Sequence, residues 1–177
     1  MKSSLTVGDL LYHSVHGICR VNEVVKESKD ISYALVPKMP NKMKLRFVIG
    51  AKDLQVSGFH APVSSKEANK ILDYLKTSKT TGTPLDAEKK AERSFAEDNT
   101  TWALAAAVLA CSQDEAQAKD QKKRQTLQRA VTGLVKELAF ALEVSLKDAA
   151  ALVQKNLKRT AKLNPLVLAA LESAAEE

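Results

Sequence analysis

The side chains with chemistry to offer are three histidines, two cysteines and several groups of cations. His13 and His16 flank one predicted corner and are close enough in sequence to approach a single metal ion. No Cys, His or carboxylate at ligand spacing completes such a site, so both read as turn histidines. Cys19 falls inside a strand-like run and reads as a small core residue. Cys111 is remote from it and no CxxC occurs, so free thiols in a reducing cytoplasm are expected rather than a disulfide. Neither a Gly-rich phosphate loop nor a G-x-S-x-G or H-E-x-x-H signature is present. The expectation is a protein that is not an enzyme and holds no metal or cofactor.

The cations are the stronger lead. Lys42, Lys44 and Arg46 alternate with Met43, Leu45, Phe47 and Ile49, which predicts a strand with one apolar face and one cationic face. Lys38 and Lys52 lie nearby. Such a face either discourages edge pairing or meets an acidic partner. Lys119, Lys122, Lys123, Arg124 and Arg129 gather near the start of a long predicted helix. Lys155, Lys158, Arg159 and Lys162 form a stripe on another, which reads as a solvated face that also suits the helix C-terminus. Trp102 is the sole tryptophan; on an Ala-rich apolar helix it reads as core, with an aromatic wedge at unstacked bases as the functional alternative.

These groups sit in two unlike halves. Residues 1–80 carry 13 Lys and Arg against 7 Asp and Glu, whereas residues 81–177 are balanced at 14 each. The whole excess of +6 therefore belongs to the first half, and a basic half favours an acidic partner such as nucleic acid or an acidic protein face. The longest apolar run, Trp102 to Cys111, is too short to span a bilayer, and no apolar segment of a secretory signal follows Lys2. A cytoplasmic, monomeric protein without membrane contact is expected.

The first half is strand-like. Val7 to Val25 predicts two strands around a corner at His16-Gly17, preceded by a turn at Gly8-Asp9. A third strand is expected over 31–36, a proline-broken loop over 37–41, and a fourth strand over 42–49. Short segments around Leu54, Val56 and Gly58 to His60 close the module. Four or five short strands with tight turns make a small antiparallel barrel or curved sheet.

Beyond Pro62 the pattern becomes helical. Ser64-x-x-Glu67 is a capping box opening a helix over 65–77, with Ala68, Ile71, Leu72 and Leu75 on one face. Residues 77–84 read as a linker. Helices are then expected over about 84–96, 102–112, 118–143, 146–162 and 165–174, in a compact antiparallel bundle. The fold class is α+β in two domains: a β domain over 1–62, a connecting helix and linker over 63–84, and an all-α helical domain over 85–177.

Gly8, Asp9, Tyr12, His16 and Gly17 together resemble the opening of the CarD/CdnL/TRCF family. Tyr33-Ala34-Leu35-Val36 is similar to that family's third strand, and Leu45-Arg46-Phe47-Val48 to its polymerase-facing strand. The stretch from Arg129 through Gly133 to Leu138 and Ala141 is similar to a late helix of its helical domain. The resemblance implies a Tudor-like β module that grips the RNA polymerase β subunit, with Arg46 in contact; Lys42, Lys44 and Lys26 are the further candidates for polymerase contact. It implies a helical domain set against upstream promoter DNA, and stabilisation of the melted promoter. Lys89, Lys90, Arg93, Trp102, Lys122, Lys123 and Arg124 are the candidates for DNA contact. The family's wedge tryptophan begins its helical domain, where this chain has Leu85-Asp86-Ala87-Glu88-Lys89-Lys90 and no aromatic. The helicase motors of the TRCF proteins have no counterpart here. A bacterial transcription regulator is the expected function. A protein–protein adaptor that uses the same β domain without touching DNA is the alternative, and a free-standing nucleic-acid binder ranks last for want of exposed stacking aromatics.

Overall fold

The computed structural model describes residues 4–13, 15–27, 30–38, 45–54, 56–77, 101–112, 121–157 and 163–176, leaving aside the side chains of Lys122 and Lys123. The chain divides into two compact units, Met1–Pro62 and Val63–Glu177. The architecture is α+β, with one four-stranded antiparallel sheet and five helices among the described residues. No helix among them is long and apolar enough to cross a membrane.

The first unit is a meander. Strands β1 (Leu10–His13), β2 (Gly17–Glu27), β3 (Asp30–Pro37) and β4 (Phe47–Gly50) pair in chain order, each antiparallel to the next. The first corner closes at His13↔Gly17, where Gly17 takes a φ of 67° that a side chain would strain. Before β1, Asp9 Oδ2 accepts the Thr6 N–H at 2.8 Å and the Thr6 hydroxyl at 3.1 Å. The Gly8 N–H then donates to the Val21 carbonyl, which ties this turn to β2.

Leu11, Cys19, Val21, Tyr33, Leu35, Leu54 and Phe59 form the buried core of the unit. Register explains the set: Leu11 faces Cys19 across β1–β2, and Val21 faces Leu35 across β2–β3. Alternate residues along paired strands share a face, so these fall on one side of the sheet. Tyr12 points the other way yet is buried, because segment 57–60 returns along β1 and forms a bridge at Tyr12↔His60.

The fourth strand is shorter than its alternation predicts. It begins at Phe47, opposite Leu35, and runs to Gly50, opposite Ser32. Leu45 and Arg46 precede it, and Lys42, Met43 and Lys44 lie outside the described residues. Phe47 and Ile49 pack on the core as expected, but Leu45 is exposed. The register to β3 begins at Phe47, two residues after Leu45. Pro37, expected in a loop, is instead the last paired residue of β3, opposite Cys19, an end position where proline is tolerated.

The second unit packs helices α1 (Ser65–Thr77), α2 (Thr101–Ser112), α3 (Gln121–Leu142), α4 (Leu146–Leu157) and α5 (Pro165–Glu176) around one core. Helix α1 belongs to this core through Ala68, Ile71, Leu72 and Leu75, the four positions its periodicity picks out. The Glu67 N–H donates to Ser64 Oγ at 3.3 Å as the cap requires. Helix α3 packs against α1, α2, α4 and α5, so its buried face is broad: Leu127, Val131, Leu134 and Leu138 are joined by Ala130, Val135 and Ala139. Glu137 is also fully buried on α3 and accepts the Val63 backbone N–H at 3.2 Å.

The turn after α3 is built from backbone. Glu143 adopts a φ of 56°, and the Val144 N–H donates back to the Ala139 carbonyl at 3.1 Å, closing the helix end in a Schellman motif. Ser145 then caps α4: its Oγ accepts the Asp148 N–H at 3.0 Å and its hydroxyl donates to Asp148 Oδ2 at 2.6 Å. Asn164 Oδ1 accepts the Leu166 N–H at 2.9 Å and caps α5. The expected helix over 84–96 and the end of the one over 146–162 lie outside the described residues.

Candidate partner-binding face

The sheet has two ends, and they differ. At β1, the Tyr12 N–H donates to the His60 carbonyl at 2.7 Å and the His60 N–H returns the bond to Tyr12 at 3.0 Å. That edge is partly covered. At the other end β4 pairs with β3 alone among the described residues. A sheet edge of this kind offers backbone donors and acceptors to an incoming strand.

Register decides which side chains flank that edge. Val48 faces Ala34, and Ala34 faces Glu23, so these three share the face opposite the core. Arg46, two residues before Val48, falls on the same face, and its guanidinium reaches over β3 to pair with the Glu23 carboxylate. Both side chains remain about half exposed, at 50% and 51%. Arg20, opposite Val36, adds a second exposed cation to this outer face. Val48 is 67% exposed beside the edge. Among the described residues the β4 edge is unpaired and bordered by Val48 and by Arg46, which a carboxylate orients, while Arg20 lies two strands in on the same face.

Lys26 does not join this group. The register shifts between Val21 and Glu23, which moves Lys26 into the row of Ile31, on the side where Ile31 packs against the core. A bulge inserts one residue and reverses the alternation beyond it. Lys52 is engaged elsewhere: its ammonium donates to Asp30 Oδ1 at 2.6 Å, and this contact raises its pKa. Lys42 and Lys44 are outside the described residues. Arg20 and Glu23 were not singled out in the sequence, and Val48 only as part of Leu45-Arg46-Phe47-Val48; the apolar–cationic–apolar run Cys19-Arg20-Val21 is the signal that marks Arg20.

Of the residues considered for DNA contact, Trp102 is described in full. It is 38% exposed rather than buried in the core, which corrects the core reading. Its indole Nε1–H donates to Glu67 Oε1 at 3.2 Å, and its ring meets Tyr74 edge-on with centroids 5.7 Å apart. Trp102 thus rests across α1 and is held there. Tyr74 is partly buried, which raises the pKa of its phenol. Arg124 lies exposed on α3, as does Arg129. Lys122 and Lys123 are on the same helix with side chains outside the description, and Lys89, Lys90 and Arg93 lie outside the described residues altogether.

The rings of His13 and His16 stack, and His60 lies near His13. Among the described residues no group of three His, Cys, Asp or Glu side chains is placed to hold a metal ion. Cys19 is fully buried, and burial pushes its thiol up to about 11. Cys111 lies partly buried on α2 and is in no disulfide. No protein-family model matches the chain, and no curated protein matches it either.

Proposed function

We propose that this chain is a non-enzymatic bacterial transcription regulator of the CarD/CdnL type, whose β unit docks on the RNA polymerase β subunit. The observation that carries the reading is the open edge of β4 beside Arg46, in the half of the chain that holds all the excess positive charge. An incoming strand would pair with β4 through its backbone, and Arg46 and Arg20 would meet carboxylates on the partner. Charge complementarity of this kind speeds association and fixes register more than it adds affinity. The finer fold reading is a Tudor-like barrel for the β unit and a bundle for the helical unit. Gly8 and Gly17, both at positive φ, are two of the residues that carry the resemblance. In this proposal the helical unit lies near upstream promoter DNA and the complex stabilises the melted promoter.

The adaptor reading, in which DNA is not touched, is favoured by two observations. The second half of the chain has no net charge, and Trp102 is tied to Glu67 and Tyr74 rather than projecting freely. Retention of the full chain on immobilised polymerase β subunit, wild type against Arg46→Glu, tests the docking: loss of retention is expected, and undiminished retention removes Arg46 from the interface. A salt titration of promoter binding separates the two readings, because each phosphate contact contributes a slope of about −0.9 in log K against log salt. A flat response leaves the adaptor.

A further inference from the structure

The corner between β1 and β2 is held by a ring nitrogen. His13 Nδ1 accepts the backbone N–H of Val15 at 3.1 Å and that of His16 at 3.3 Å. A nitrogen that accepts keeps its lone pair, so the neutral ring carries its proton on Nε2. Protonation at Nδ1 replaces the lone pair with an N–H and sets donor against donor at both contacts. The corner cannot then keep either bond.

This corner is mechanically continuous with the start of β4. The His13 ring stacks on His16 with centroids 4.6 Å apart and 25° between planes, and lies 4.7 Å from Phe59. His16 in turn rests on Phe47, centroid to centroid 4.4 Å. Phe47 is the first residue of β4 and follows Arg46 directly. The His60 ring lies edge-on to Tyr12 at 5.6 Å. His13 and His16 therefore lie in one aromatic layer, with Phe59 and Phe47, from the corner to the candidate docking strand.

We propose that the β1–β2 corner is a proton-operated latch, closed while His13 Nδ1 accepts the Val15 and His16 amides and opened by protonation, and that opening loosens Phe47 and weakens partner binding at β4. The second half of this proposal rests on the docking reading; the latch itself does not. The titratable groups that face His13 are His16 from the corner and His60 from segment 57–60, and both oppose a charge on it. Burial opposes the charge most strongly, while the Ser57 backbone favours it, and the balance holds His13 below its ordinary value of 6.5. A folded midpoint below the open-chain one means that the latch is at full strength above 6.5 and is lost as pH falls through the lower folded value.

Amide hydrogen exchange on the full chain tests it. Protection of the Val15 and His16 amides is compared between neutral and mildly acidic pH, with the Ala51 amide, which donates to the Ile31 carbonyl at 2.7 Å, as a reference in the same sheet. Val15 and His16 are expected to lose protection on acidification, about tenfold for each pH unit separating the open and closed midpoints, while Ala51 holds. His13→Asn supplies a non-titrating acceptor to the same amides in an Asx turn and is expected to abolish that pH dependence. Protection at Val15 and His16 that does not change with pH in the wild type overturns the latch, as does an NMR tautomer with the proton on Nδ1 at neutral pH. Both of those readouts use the unaltered chain. Binding of the polymerase β subunit is expected to weaken on acidification in the wild type and not in His13→Asn. Equal weakening in both overturns the coupling to β4. Binding absent at every pH overturns the docking reading, and the exchange result still decides the latch.

Discussion

Arg46 reaches over β3 to the carboxylate of Glu23, so the arginine that flanks the open edge of the sheet is already oriented before any partner arrives. The pair is about half exposed, and exposed ion pairs contribute only about 0–1 kcal/mol to stability. Arg46→Ala is therefore expected to leave thermal unfolding nearly unchanged while it abolishes retention on the polymerase β subunit. Arg46→Glu sets two carboxylates side by side, so its loss of binding has two possible causes. The charge-swapped double variant Glu23→Arg/Arg46→Glu separates them. It restores the intramolecular pair and is expected still to fail in binding; recovery of binding would mean that the pair, not the position of the cation, is what the partner needs.

Glu143 sits in left-handed conformation at the end of α3, with a φ of 56°. A side chain there costs about 1 kcal/mol relative to glycine, part of which is offset by the greater freedom glycine has in the unfolded chain. Glu143→Gly is expected to stabilise the helical unit by about 0.5 kcal/mol, read as a higher midpoint in denaturant at constant slope. Glu143→Ala gains nothing, because alanine meets the same steric penalty.

Cys19 supplies a pH dependence of opposite sense to that of His13. Burial pushes Cys19 up to about 11 from an ordinary value of 9.0. A raised folded value means that the contribution of the neutral thiol is intact below 9.0 and is lost as pH rises toward 11. Near pH 8, a disulfide reagent is expected to modify Cys111 first and to reach Cys19 only when the β unit opens, since the thiolate is the reactive form. Equal rates at the two cysteines would refute the burial of Cys19.

These residues also show where a sequence stops being readable. The buried face of α1 is legible because Ala68, Ile71, Leu72 and Leu75 stand against polar neighbours at helical spacing. The same holds for Leu127, Val131, Leu134 and Leu138 on α3. Helix α2 gives no such contrast: alanine, leucine and valine surround it, so periodicity cannot tell which way Trp102 faces. The β unit fails at a different point. Alternation alone places Arg20 and Lys26 on one face, six residues apart in a single strand, and the bulge between Val21 and Glu23 parts them. The length of β4 is similarly hidden, because alternation over 42–49 says which residues share a face and not where the ladder to β3 begins. The candidate partner-binding face is read from register, which a local pattern does not contain.

Trp102 offers a probe of the α1–α2 contact because it is the chain's single tryptophan. Its indole donates to Glu67 Oε1 at 3.2 Å and its ring meets Tyr74 edge-on. A hydrogen bond to a charged acceptor is worth about 1.5–3 kcal/mol when sheltered, and less at a site as open as this one. Glu67 is also the third residue after the Ser64 cap, but the cap uses its backbone N–H, which any residue supplies. Glu67→Ala therefore removes the indole's acceptor and keeps the cap. It is expected to cost about 1 kcal/mol and to shift tryptophan emission to longer wavelength as water takes the carboxylate's place. In a double-mutant cycle with Trp102→Phe, a coupling of about 0.5–1 kcal/mol is expected. A coupling near zero, with emission unchanged in Glu67→Ala, would free Trp102 from α1 and return the indole to the candidates for base stacking.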